Sequence, residues 1–212
     1  MQKGVYTEDT AEDFLRSYVP VAKHVLTHSF DEAVSAMKKL GFPAVLKIIA
    51  PDALHKSDIK GVRIVKNWDE LREEYASLLE IAQKRILHTK GILVQEFIEG
   101  SYVLIGLKKD PVFGHALVFG IGGIYTELLK DVSLRVCPIT LADAEEMIQE
   151  LQMKQLLFGF RGEKPVNLSL LKKTLVAVSR IPLKHRDIQE MDINPFVINH
   201  TKGFVVDARM VV

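Results

Sequence analysis

Residues 188–211 read IQEMDINPFVINHTKGFVVDARMV. Two largely apolar, β-branched runs, residues 188–198 and 203–211, flank the polar tetrad Asn199-His200-Thr201-Lys202, the pattern of two antiparallel strands joined by a four-residue loop. If Ile198 and Gly203 pair directly, partners sum to 401 and Asn194 stands opposite Asp207. Directly opposed residues hold their Cβ atoms about 4.5–5.5 Å apart. An amide oxygen and a carboxylate at that spacing either hydrogen-bond across the strands or share a hard, oxygen-preferring cation such as Mg²⁺. Asp192, two residues before Asn194, lies on the same face and can orient such a site or bind the metal itself.

Outward from this hairpin the chain alternates strands and helices. Residues 7–19 read as a short helix, and Ser29 with Glu32 caps a second that Gly41 stops. Residues 44–49 form an unbroken, partly β-branched run expected of a buried strand, and residues 61–66 read as its neighbour. Asn67 with Glu70 caps a helix whose buried face carries Trp68, Leu71, Tyr75, Leu78, Leu79 and Ala82. Strands follow at residues 92–97, 102–108 and 115–119, then a glycine-rich turn at 120–123 and a strand at 132–136. Thr140 with Asp143 caps a helix to about residue 157, and Asn167 another to about 179. This order predicts an α+β fold with two mixed sheets, each backed by helices, divided into residues 1–97 and 98–212.

Composition narrows the function. The 212 residues carry 28 Lys+Arg against 27 Asp+Glu, a net charge of +1 without a basic block, so no electrostatic footprint for nucleic acid or an anionic membrane is present. Cys137 has no second cysteine to pair with, which fits a reducing compartment. The start, MQKGVYTEDTAEDF, lacks the apolar run of a signal peptide, and no stretch approaches the ~18 apolar residues of a membrane span. A cytoplasmic protein is expected. There is no G-x-x-x-x-G-K-[ST] loop, Tyr125 breaks the dinucleotide fingerprint at residues 120–125, the histidines show no zinc spacing, and no G-x-S-x-G elbow occurs.

Two further residues stand out. Lys47 sits inside the apolar run at 44–49, where an ammonium must reach a strand edge or meet an anion such as phosphate. His55, in the polar loop His55-Lys56-Ser57-Asp58, is either a solvated loop histidine or a phosphoryl-accepting nucleophile whose tautomer a carboxylate such as Asp58 fixes.

Taken in order, Gly41-Phe42-Pro43 to Ile49, Ala50-Pro51-Asp52 with the His55 loop, Asp110-Pro111 with Phe113-Gly114, Phe119 to Gly123, Leu129 to Val132, Arg161-Gly162, Asp192 to Pro195 and Val206 to Arg209 resemble the ATP-grasp (β) chain of the ADP-forming acyl-CoA synthetases, relatives of succinyl-CoA synthetase. The resemblance implies an ATP-grasp fold, two α/β subdomains clamping a nucleotide. It implies that Lys47 meets the nucleotide phosphates, that Glu96, Phe97 and Ile98 hold the adenine, that Asn194 and Asp207 bind Mg²⁺, and that His55 carries a phosphoryl group to and from ADP. Glu127 and Arg135 fall in matching stretches as further candidates for polar contacts. A CoA-binding α subunit, in an α2β2 assembly, is the implied partner, with ATP or ADP and phosphate as substrates.

Two positions depart from the family pattern. Lys60 stands where relatives have a glycine, and Tyr102 stands where they carry a glutamate that contacts the nucleotide. These departures keep open a nucleotide-binding or regulatory subunit that has lost turnover; a further alternative is another ATP-grasp ligase that makes an acyl phosphate directly, against which His55 argues, since such a ligase needs no phosphohistidine.

Overall fold

The computed structural model describes residues 3–51, 59–85, 88–123, 131–159, 162 and 164–212. The lead segment forms β1 (Val5–Tyr6) and α1 (Glu8–Leu15), followed by β2 (His24–Thr27), α2 (Phe30–Leu40), β3 (Ala44–Ile49), β4 (Val62–Val65), α3 (Trp68–Lys84) and β5 (Gly91–Glu96). Then come β6 (Ser101–Asp110), β7 (Gly114–Ile121), β8 (Val132–Val136), α4 (Leu141–Glu150), α5 (Gln155–Phe158), α6 (Leu168–Arg180), β9 (Glu190–Ile198), β10 (Gly203–Val205) and β11 (Ala208–Val211).

Residues Ala22–Phe97 form one compact unit, a four-stranded sheet in the order β2-β5-β3-β4. Its helices start where the sequence predicts. The Ser29 hydroxyl accepts from the Glu32 N–H (3.2 Å) and the Asn67 side chain from the Glu70 N–H (2.9 Å), each supplying a partner for a donor at the helix start. Ala33, Ala36 and Met37 of α2 and Leu71, Tyr75 and Leu78 of α3 pack on Ala44, Leu46 and Ile48 of β3 and Ile92 and Val94 of β5. Trp68 and Leu79, expected on the buried face of α3, are 47% and 49% exposed.

The second unit comprises residues 1–21 and 98–212. Its seven-stranded sheet runs β1-β11-β9-β6-β7-β8, with β10 also paired to β9. Leu15 of α1, Met147 of α4 and Leu175 of α6 share its core with Ile105, Leu107, Leu117, Phe119 and Ile193. Residues 1–21, expected with the first lobe, therefore belong to the second unit: β1 pairs with β11, and Ala11, Leu15 and Val19 join that core.

Three further expectations change. Among the described residues the strand ladders are antiparallel rather than mixed, apart from a single parallel bridge between Val21 and Val205. Gly120 and Ile121 belong to β7 instead of a turn. The helix expected from 141 to 157 breaks at Leu151, whose backbone is extended. The cause is remote: the buried Asp131 carboxylate accepts from the N–H groups of Gln152 and Met153, both at 2.9 Å, and takes them out of the helical pattern.

Candidate functional site

The two faces of β9 are set by its burial. Met191 and Ile193 are buried in the core, and so are Phe196 and Ile198, an alternation that slips by one residue between them. The slip is a β-bulge. Val103 of β6 pairs with Phe196 and Ile105 pairs with Ile193, so Asn194 and Pro195 together oppose the single residue Leu104. Both bulged residues are thereby left out of the core, which they border without entering. Proline inside a strand is a sequence signal of such a bulge, because it cannot donate to the ladder.

Across the hairpin the register holds at a sum of 401 on both sides of the gap: Gly203 pairs with Ile198, Val205 with Phe196, and Ala208 with Ile193. Asn194 and Asp207 are therefore opposed, and the Asn194 N–H donates to the Asp207 carbonyl at 3.0 Å. The two residues between β10 and β11, Val206 and Asp207, match the two bulged residues of β9. The backbone bond pins the strands together at the level where the amide and carboxylate are presented.

Asp192 shares this face and pairs with Arg209 on β11 and Gly106 on β6. Burial pushes its carboxyl up to about 6, Glu190 on the same strand adds to the shift, and Arg209 opposes it. Tyr102 is 45% exposed on the same face of β6. It lies two residues from Leu104, about 7 Å along the strand. The chain after β7 packs against it: the Gly122 N–H donates to the Tyr102 carbonyl (2.7 Å), and a Cβ on Gly122 would fall 3.0 Å from the Tyr102 carbonyl carbon. Ile98 is buried at the start of this unit.

In the 22–97 unit Lys47 lies between Val62 of β4 and Leu93 of β5 and is 5% exposed. It alternates with Leu46 and Ile48, which face the helices, so it occupies the other face of the sheet together with Leu93 and Gln95. The Glu96 carboxylate accepts from the Lys23 N–H at 2.7 Å while the Glu96 N–H donates to the Lys23 carbonyl at 2.9 Å. These bonds occupy the Glu96 main-chain donor and one side-chain oxygen with a local tie. The Phe97 N–H points to the Pro43 carbonyl at 3.4 Å.

Arg135 does not join the group. It alternates with the exposed Leu134 and Val136 and lies opposite the core residue Leu117, so it faces the helices. Its guanidinium hydrogen-bonds Glu150 (3.1 Å) and Glu146 (3.4 Å) of α4. The structure thus assigns Arg135 to tying the edge strand to a helix, on the opposite side of the sheet from Asn194.

Among the described residues no cluster of three or more His, Cys, Asp or Glu side chains gathers around a metal position. An amide and a carboxylate alone suit Mg²⁺, which keeps most of its positions for phosphate oxygens and water.

The sequence pattern of the ATP-grasp domain matches residues 1–212. The chain belongs to the ATP-grasp family. This ATP-grasp chain is 40% identical over 209 residues to the β subunit of the ADP-forming acetate–CoA ligase I of Pyrococcus furiosus, covering 96% of this chain and 90% of that one. It is 39% identical to the ADP-forming acetate–CoA ligase I of Archaeoglobus fulgidus, covering 91% of this chain but only 29% of that longer protein. Its fold matches the acetyl-coenzyme A synthetase 1 of Ca. Korarchaeum cryptofilum, solved with coenzyme A and Ca-AMPCP, with a TM-score of 0.95 and 40% identity over 100% of this chain and 94% of that one. A second complex of that synthetase, with Mg-AMPPCP and a phosphohistidine segment pointing towards the nucleotide site, matches with a TM-score of 0.86, 40% identity and coverage of 98% and 92%.

His55, Asp58 and Glu127 lie outside the described residues. Beside the His55 loop, Lys60 has φ +56°, the left-handed region where a glycine rests without strain. The signal was present in the sequence as a family departure.

Proposed function

We propose that this chain is the nucleotide-binding β subunit of an ADP-forming acyl-CoA synthetase, interconverting acyl-CoA, ADP and phosphate with carboxylate, CoA and ATP. The observation that carries the reading is the opposition of Asn194 and Asp207 at a bulge on the open face of the sheet. The similarity to proteins named β subunits, each covered to 90% of its length, supports a partner α subunit that brings the CoA-binding part. We infer an α2β2 assembly in the cytoplasm. Among the described residues no helix is long and apolar enough to cross a membrane.

In this reading His55 takes a phosphoryl group from an acyl phosphate made on the partner and passes it to ADP. The N–P bond to the imidazole breaks as a β-phosphate oxygen of ADP forms the new O–P bond, leaving neutral imidazole and ATP. Imidazole suits both steps because near neutral pH it is a good nucleophile and a good leaving group. Asp58 fixes the tautomer of His55. Lys47 offsets phosphate charge, and Glu96 to Ile98 supply the main-chain edge against which an adenine is held. Asn194 and Asp207 would hold Mg²⁺, with Asp192 orienting them, and when bound the ion neutralises phosphate charge. Tyr102 offers a hydroxyl to the nucleotide where relatives offer a carboxylate.

A nucleotide-binding subunit without turnover is the second reading, favoured by the strained backbone of Lys60 next to the histidine loop. One experiment separates the two. The chain with its CoA-binding partner and γ-labelled ATP·Mg²⁺ is expected to give an acid-labile, base-stable label that His55→Ala lacks. Nucleotide binding without label would favour the second reading, and equal labelling of His55→Ala would overturn the relay.

A further inference from the structure

The loop between β9 and β10 contains one side chain that reaches out of the hairpin. Asn199 opens this loop, and its main-chain N–H donates to the Lys202 carbonyl at 2.9 Å. Its side-chain oxygen accepts from the Thr201 N–H (3.0 Å), the Thr201 hydroxyl (2.9 Å) and the Lys202 N–H (3.1 Å). These bonds shape the turn. The other end of the amide points away from it, and Nδ2 donates to the Glu99 carbonyl at 2.9 Å. The partners identify the two ends, because donors face one and a carbonyl oxygen faces the other.

Glu99 directly follows the 96–98 segment and leads into β6. Gly100, next along, passes so close to β9 that a Cβ on it would fall 2.5 Å from the Ile198 carbonyl oxygen and 3.2 Å from the Asn199 nitrogen. The β6–β9 ladder starts one residue later, where Ser101 pairs with Ile198. The chain entering β6 is therefore fixed to the end of β9 at three successive residues: Glu99 through an amide, Gly100 through backbone contact and Ser101 through the ladder. Asn199 is itself anchored. Its carbonyl accepts from the Asn167 N–H at 2.9 Å, and the Asn167 side chain caps α6 by accepting from the Leu170 N–H at 3.0 Å. All of these residues belong to the second unit, as do Ile98, Asn194 and Asp207.

We propose that Asn199 is a positioning residue for the nucleotide: its amide holds the exit of the adenine segment, at Glu99, in register with the Asn194–Asp207 pair. The inference rests on the nucleotide-binding reading and names a residue which that reading does not use. Glu99 and Leu104, the residue opposite the bulge, are separated by about 17 Å of extended chain. From Ser101 onward the ladder sets that span. Ahead of Ser101 the Asn199 amide and the Gly100 contact set it. A base against Ile98 and phosphates at the metal pair belong to one ligand, so a displacement at one end costs contacts at the other. Asn199 acts on both ends, because it grips Glu99 and directly continues the strand that presents Asn194.

The test titrates two ligands into the full chain by calorimetry: ATP·Mg²⁺, and tripolyphosphate·Mg²⁺, which has neither base nor sugar. Asn199→Asp keeps the oxygen that shapes the turn but removes the Nδ2 donor and sets a carboxylate oxygen against the Glu99 carbonyl. Thr201→Ala removes one turn bond and leaves the Glu99 bond in place. Asn199→Asp is expected to lose at least about tenfold in ATP affinity while tripolyphosphate affinity stays within about twofold of wild type. It should melt within about 4 °C of wild type, the cost of one hydrogen bond in a chain of this size. Thr201→Ala should match wild type with both ligands. Gly100→Ala, which must push the same segment off Ile198 with Asn199 intact, should repeat the selective loss of ATP affinity. If Asn199→Asp and Gly100→Ala bind ATP as tightly as wild type, or lose both ligands in equal measure, Asn199 only shapes the hairpin and the positioning role is wrong while the proposed function stands. A wild-type chain that binds tripolyphosphate as tightly as ATP has no base contact to position, and that too overturns the inference. If wild type binds neither ligand, the nucleotide-binding reading fails and the inference fails with it.

Discussion

Two glycines on neighbouring strands, Gly106 and Gly120, make a paired test of how closely the strands around the site pack. Neither has a positive φ, so only space distinguishes them. A Cβ on Gly106 would meet Val118 Cβ at 3.6 Å and the Met191 carbonyl oxygen at 3.7 Å, ordinary contacts. On Gly120 it would fall 2.7 Å from the Asp131 carbonyl oxygen and 2.8 Å from Val132 Cγ1, so the start of β8 must shift. Replacing glycine by alanine restricts the unfolded chain and stabilises by about 0.4–1 kcal/mol where the site is roomy. Overpacking costs about 1–3 kcal/mol. Gly106→Ala should therefore gain about 0.4–1 kcal/mol, and Gly120→Ala should lose about 1–2 kcal/mol net. At about 2–4 °C per kcal/mol for a chain of this size, calorimetry should find Gly106→Ala about 1–4 °C above wild type and Gly120→Ala about 2–8 °C below it. Equal shifts of one sign for both would refute the packing of β8 on β7. So would a Gly120→Ala protein as stable as wild type.

In metal-free buffer, Asp192→Asn should stabilise the protein above pH 6 and leave it unchanged below pH 4. The carboxyl rises from 3.8 unfolded to about 6 folded, so the folded state binds the extra proton and stability falls as pH climbs between those values. Two pH units set an upper limit of about 3 kcal/mol, and a melting temperature of the variant equal to wild type at pH 8 would contradict the burial. Lys60→Gly should raise the melting temperature slightly, because relief of about 1–2 kcal/mol of left-handed strain exceeds glycine's entropic cost of about 0.5–1 kcal/mol; a clear loss of stability would place Lys60 in another backbone region. Burial pushes the Cys137 thiol up to about 12 from 9.0. Iodoacetamide at pH 8 should then label it on the order of 1000-fold more slowly than an ordinary thiol until the protein is unfolded, and rapid labelling of folded protein would refute the burial.

Local signals were legible where the residues that decide a structure sit close together in sequence. The four-residue loop fixed the 401 register and so the opposition of Asn194 and Asp207. Ser29 and Asn67 announced their helices because a cap is satisfied within one turn. Features that depend on distant partners were not legible. The helix after Thr140 ends early because Asp131, about twenty residues upstream, takes two of its N–H groups. The lead segment joins the second unit because Val5 and Tyr6 pair with Val211 and Met210 at the far end of the chain. Arg135 became a candidate through the family resemblance of its stretch, and nothing local in sequence showed that its side of β8 faces the helix carrying Glu150, which it binds. β2 is only four residues long, His24–Thr27, too short for a period to show.

The central claim is that Asn194 and Asp207 hold the cation that brings a nucleotide to this chain. The measurement is calorimetric titration of ATP into the isolated protein, with and without Mg²⁺, for wild type and Asp207→Asn. The account predicts that Mg²⁺ strengthens binding to wild type, and that the variant keeps the fold and the metal-free affinity while losing at least about tenfold of the Mg²⁺-dependent affinity, the effect of removing one charged ligand. Mg²⁺ dependence unchanged in Asp207→Asn would contradict it and leave the pair as a cross-strand hydrogen bond.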